Sequence, residues 1–136
     1  MPSPIAVQPP RGYVPPVGPQ VVEVCEDSLQ ELVIEARGIV ALHFDAPWSK
    51  RSQEVGASLP QLARDFALQV RVARVDIDVY PSVANLYRVT DIPTIVLFRN
   101  GVELGRLVGL RPYAQLVIAL ETALASPPGA ESMRGG

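Results

Sequence analysis

Cysteine and histidine are almost missing from this sequence: its 136 residues include one of each, Cys25 and His43. A single cysteine excludes an internal disulfide, and a single histidine excludes a His cluster of metal-ligand type. Lysine is equally scarce. Lys50 stands alone among 12 basic residues, the others being arginine, a bias that reads as codon usage. No apolar run is long enough to span a membrane. The N-terminus shows no charged stretch followed by an apolar one, so no secretory signal is expected. The formal net charge of −2 gives no reason to expect nucleic acid or an anionic membrane as a partner. A reduced, cytoplasmic setting fits these absences, and they call for neither a cofactor nor a metal.

What the chain does have is an ordinary globular balance, 48% hydrophobic and 19% charged residues. Its length favours one domain able to bury its own core. Proline is concentrated at the start, at positions 2, 4, 9, 10, 15, 16 and 19. Each proline fixes φ and removes a backbone donor, so residues 1–20 are expected to form a disordered, partly polyproline II tail. Pro16-Val17-Gly18-Pro19 has PxxP spacing but lacks the flanking arginine of an SH3 ligand. Residues 126–136, with Pro127, Pro128 and three glycines, should form a second loose tail. The folded domain is expected over 21–125.

Within it, strand and helix patterns alternate. Residues 21–24 read as a short strand. Asp27-Ser28-Leu29-Gln30 looks like a capping box opening a helix to about Arg37, which Gly38 ends. Ile39-Val40-Ala41-Leu42-His43-Phe44 is nearly all apolar, as a central strand covered on both faces should be. A helix with Leu59, Leu62, Ala63 and Phe66 on its apolar stripe is expected over about 49–66. Strands follow at 70–77, 94–98 and 102–108, and helices at 80–87 and 112–124. Asn100-Gly101 suits the positive φ of a hairpin turn. The order β-α-β-α-β-α-β-β-α implies parallel pairing through crossover helices with an antiparallel edge.

Five segments in this order resemble the thioredoxin family at the family's spacing. His43-Phe44-Asp45-Ala46-Pro47-Trp48 resembles the approach to its active site, and Val75-Asp76-Ile77-Asp78 the end of its third strand. Asp91-Ile92-Pro93-Thr94 resembles the loop whose proline is cis, Phe98-Arg99-Asn100-Gly101 the last hairpin, and Val108-Gly109 the turn after it. The resemblance covers about residues 20–125. It implies a thioredoxin fold of α/β class, three layers α/β/α around a mixed sheet of about five strands, with a cis Ile92–Pro93 bond. It also implies a shallow apolar groove at Trp48, Ile92, Pro93, Val108 and Gly109, where an extended peptide pairs with backbone.

The departures bear on chemistry. Where the family has Trp-Cys-Gly-Pro-Cys, Trp48 is followed by Ser49-Lys50-Arg51-Ser52. Disulfide exchange needs a partly ionised thiol, which serine does not supply. His43 takes the place of the family's buried acid and Asp45 that of an aromatic residue. The helix-kinking proline is replaced by Ala57, with Pro60 three residues on and Gly56 easing the clash that proline creates one turn back. The resemblance therefore implies a redox-inactive binding or adaptor module. It is similar to the thioredoxin domain of multidomain monothiol glutaredoxins, which dock beside an iron-sulfur-binding glutaredoxin. Phosducin-like folding or assembly helpers are the other cysteine-poor parallel.

Each singled-out residue carries two readings. Ser49 and Ser52 are helix N-caps, or, with Lys50 and Arg51, part of an anion site at a helix N-terminus. His43 is a buried core histidine or half of a Ser–His dyad. Asp45, on the same strand face, either pairs with it or faces water. Cys25 is a half-buried small hydrophobe or a monothiol centre, and Glu26 and Asp27 beside it oppose a thiolate. Pro93 serves folding alone or a groove for a protein partner, an extended peptide or an anionic segment.

Overall fold

The seven residues of strand β2, Ile39–Asp45, are all buried, which is why the run lacks polar alternation. Around it the computed structural model, which describes residues 19–126, builds one mixed sheet. The strands are β1 (Val22–Val24), β3 (Val70–Asp76), β4 (Thr94–Arg99) and β5 (Val102–Val108), in the order β1-β3-β2-β4-β5. β1 and β2 run parallel to β3, whereas β4 is antiparallel to both β2 and β5. The C-terminal ends of β1, β2, β3 and β5 therefore share one end of the sheet with the start of β4. Most of residues 1–20 and all but Ser126 of residues 126–136 lie outside the described residues.

Period-2 alternation divides β2 between two cores. Val40, Leu42 and Phe44 join Val33, Val83, Val96 and Phe98 on one face. Ile39 and Ala41 join Val55, Leu59, Leu62, Leu116 and Leu120 on the other. Helix α2 (Pro81–Leu86) and a short turn cover the first face. Helices α1 (Lys50–Asp65) and α3 (Tyr113–Ala125) cover the second, completing three layers. On the first face the Tyr87 ring meets Phe98 and Phe44 edge-on, at centroid distances of 5.1 and 6.2 Å. Such pairs add about 0.5–1.5 kcal/mol each beyond area burial. No helix among the described residues is long and apolar enough to cross a membrane.

The expected elements appear within a residue or two, with one exception. Instead of an α-helix reaching Arg37, the first helical segment is a five-residue π-helical turn, Gln30–Ile34, closed by the Glu35 N–H donating to the Gln30 carbonyl. The capping box does not form as expected. Ser28 Oγ instead accepts from the Cys25 N–H at 2.9 Å, and the N-cap Leu29 supplies no side-chain bond. The chain leaves the helix early because the β4–β5 hairpin occupies the next position. Gly38 and Asn100 exchange two hydrogen bonds, and a Cβ on Gly101 (φ +82°) would lie 2.1 Å from the Ile34 carbonyl oxygen. α1 runs on through Pro60 as one helix, with Gly56 at the turn where proline removes a bond.

Candidate functional site

The shared end of the sheet gathers the residues that the family resemblance singled out. Ser49 is the N-cap of α1, its Oγ accepting from the Ser52 N–H at 3.1 Å. Ser52 is wholly buried and its hydroxyl is fully engaged. It donates to Asp45 Oδ1 at 2.5 Å and accepts from the Ala46 N–H at 3.1 Å. Of the two serine hydroxyls, that of Ser52 has no proton left for an external anion, because it is committed to the carboxylate behind it, whereas Ser49 spends only an acceptor on its cap. That same carboxylate offsets the partial positive charge of the helix N-terminus from inside.

Asp45 is buried, at 7% exposure, which corrects the reading that left it facing water. Nor does it orient His43. The sequence of groups is Asp45–Ser52–His43, with His43 Nε2 at 3.5 Å from the serine oxygen. The serine's one proton goes to the carboxylate, so the imidazole is not placed as its base, and no Ser–His dyad is formed. His43 is fully buried beneath α1, where Gly56 leaves room beside it, and its Nδ1 has no hydrogen-bond partner among the described residues. Burial pushes its pKa down to about 4. The charge of Asp45 opposes that shift and Arg74 adds to it. Arg74 itself pairs with Glu23 at 2.6 Å and lies 4.0 Å from Asp45 Oδ2.

Outside this sealed cluster the surface is open. Trp48 is 70% exposed, held by its indole N–H donating to Asp78 Oδ1 at 3.1 Å. Asp78 is a positioning residue that sequence reasoning passed over, although its place in Val75-Asp76-Ile77-Asp78 was the available signal. The Ile92–Pro93 bond is cis. The Pro93 carbonyl accepts from the Gly109 N–H at 2.8 Å, joining two of the expected groove residues directly. Gly109 turns at φ +92°, and Val108 and Leu110 beside it are exposed. Among the described residues the N–H and C=O of Ile92 have no hydrogen-bond partner. Lys50 and Arg51 are exposed on the first turn of α1.

Cys25 follows β1 at this same end of the sheet, about 10 Å along from β2 at two strand spacings. Its half-exposed thiol bonds Ser28 Oγ at 3.4 Å. Hydrogen bonding with the Ser28 side chain, and then with the backbone of Ser28 and Asp27, lowers the thiol pKa; the charge of Asp27 opposes this, as expected of an acidic neighbour, but is outweighed. Among the described residues no group of three or more His, Cys, Asp or Glu is arranged to hold a metal ion.

Sequence comparison agrees with this architecture. Residues 20–122 match the family described as Thioredoxin. The chain is 30% identical to a thioredoxin of Griffithsia pacifica over 106 residues, 78% of this chain and 97% of that one. It is 33% identical to a thioredoxin of Mycolicibacterium smegmatis over 105 residues, covering 76% and 94%. It is also 28% identical to the chloroplastic M-type thioredoxin of Spinacia oleracea over 105 residues, spanning 58% of that longer relative. The chain belongs to the thioredoxin family, and its mixed five-stranded sheet between helical layers is the thioredoxin fold.

Proposed function

We propose that this chain is a redox-inactive thioredoxin-like module that binds an extended segment of a partner protein. One contrast carries the reading. The two positions where the family carries its thiols are buried serines at the start of α1, while the rim around them is open. A peptide laid across that rim would find an exposed indole, the free N–H and C=O of Ile92, and the exposed Val108 side chain. Backbone pairing supplies affinity and apolar contacts supply selectivity, and neither needs sulfur. The test has two arms. Insulin reduction with dithiothreitol or thioredoxin reductase should stay at the rate without protein. Extended peptides should shift the backbone amides of Ile92 and Gly109 saturably. Turnover abolished by Cys25→Ser would replace this reading, and amides unmoved at millimolar peptide would remove the groove.

One observation favours a second reading, an oxidoreductase with monothiol chemistry at Cys25. Its half-exposed thiol has a lowered pKa and lies at the same sheet end as Trp48. A thiol poised in this way should react with iodoacetamide faster at pH 7 than an unperturbed cysteine does, and Ser28→Ala should slow it. Equal rates would remove the reading.

A further inference from the structure

Beyond Val108 and Gly109 the rim opens into a surface depression of about 570 Å³ between the start of α1 and the β5–α3 connection. Arg51 and Arg111 both line it, and none of its lining residues is acidic. Arg51 has no hydrogen bond or ion pair among the described residues. Arg111 is fixed by neutral groups only, its Nε donating to the Val108 carbonyl at 3.2 Å and an Nη to Gln115 Oε1 at 3.3 Å. Its position is therefore set while its charge remains unopposed. The nearest counterweight on α1 is Glu54, exposed and outside the depression. The Trp48 part of the rim has the other sign, with Asp78 bonded to the indole N–H. In a chain of net charge −2, two unopposed guanidiniums beside an apolar rim form a local exception.

We propose that Arg51 and Arg111 read a carboxylate, so that the partner is an acidic extended segment with Asp or Glu placed beyond the residue held at Val108. The inference rests on the groove reading above and gives it a direction. The apolar and backbone contacts lie across Trp48, Ile92 and Val108, and the acid falls at the Arg111 end. An acid at the Trp48 end would meet Asp78 instead. Planar guanidinium forks suit carboxylates, and their exposure makes the preference sensitive to salt.

The test uses the full chain and blocked Ala/Val/Thr peptides carrying one Glu, or one Gln, at successive positions. Affinity is read from Trp48 emission and groove engagement from the Ile92 amide. At one position, Glu should bind roughly five-fold tighter than Gln at low salt, as two partly exposed ion pairs allow. The gap should close at high salt and in Arg51→Gln/Arg111→Gln. Arg51→Gln alone, whose side chain bonds nothing in the free chain, should narrow the gap without disturbing the loop. Equal Glu and Gln affinities with a shifted Ile92 amide would overturn the carboxylate reading and leave the groove standing. No shift with any peptide would overturn both, and a gap surviving in the double variant would overturn the assignment to these two arginines.

Discussion

Two polar regions sit back to back at the N-terminus of α1, and they are built on opposite principles. Beneath it, Asp45, Ser52 and His43 are buried, bonded or wedged together, and closed to solvent. Above it, Trp48, Lys50, Arg51 and the Ile92 backbone are exposed, and among the described residues only Trp48 of the three side chains has a hydrogen-bond partner, Asp78. The groups with the chemistry of catalysis are committed to holding the chain together, while the groups open to a ligand have only shape, backbone and charge to offer. Residue type alone would have suggested the reverse, since Ser, His and Asp invite a catalytic reading. What separates a site from a structural cluster here is whether a group has bonding capacity left over and water to exchange it with.

The largest effect that would break this contrast is on stability against pH. Folded His43 stays neutral down to about pH 4, whereas in the unfolded chain it takes up a proton near 6.5. Between those values the unfolded state binds more protons, so stability falls as pH drops through the window. The full difference is about 3 kcal/mol at 1.36 kcal/mol per unit. Urea unfolding of the native chain and His43→Leu at pH 7 and pH 4.5 checks it: the variant should lose less stability on acidification. Equal losses would mean that His43 is not held neutral by burial.

A smaller effect belongs to Ser52. Replacing it with alanine leaves the buried Asp45 carboxylate and the Ala46 N–H without that partner, at a cost of about 1–3 kcal/mol. Because the loss arises from stranding Asp45, Ser52→Ala/Asp45→Asn should cost less than the two single changes added together. Additive costs would show that the two groups are not coupled. The smallest effect sharpens the other half of the contrast. Trp48→Ala should move the unfolding midpoint within about 0.5 kcal/mol of the native value, as an exposed position should. It should weaken extended-peptide binding by about 1 kcal/mol or more, as loss of an aromatic anchor does. A large stability loss would make Trp48 a structural residue.

Much of the fold was legible because local signals agreed with one another. The unbroken apolar run at 39–44 marked the central strand, Asn100-Gly101 marked a hairpin with both residues at positive φ, and the five family-like segments arrived in order. The first helix misled because its ending is set from a distance. Nothing within 27–37 announces that the hairpin at Gly101 will occupy the next position. The site was legible as a set of positions but not as a division of labour. Period 2 put His43 and Asp45 on one face, yet which of them Ser52 would bond depended on the depth of α1 over the strand. Arg111 went unnoticed because it meets Arg51 only through the fold, 60 residues apart in sequence.

The step in the β4–β5 pairing has a consequence for assembly. Leu97 faces Gly105 and Phe98 faces Glu103, so β5 carries Leu104 as one residue more than β4 across that step. β5 is also the outermost strand on its side, the kind of border where sheets of separate molecules join. An inserted residue bends such a border and breaks its regular spacing of donors and acceptors. The Glu103–Arg106 ion pair, at 2.8 Å, adds charge on the same strand. Together they make β5 a poor template for sheet growth past that side of the sheet.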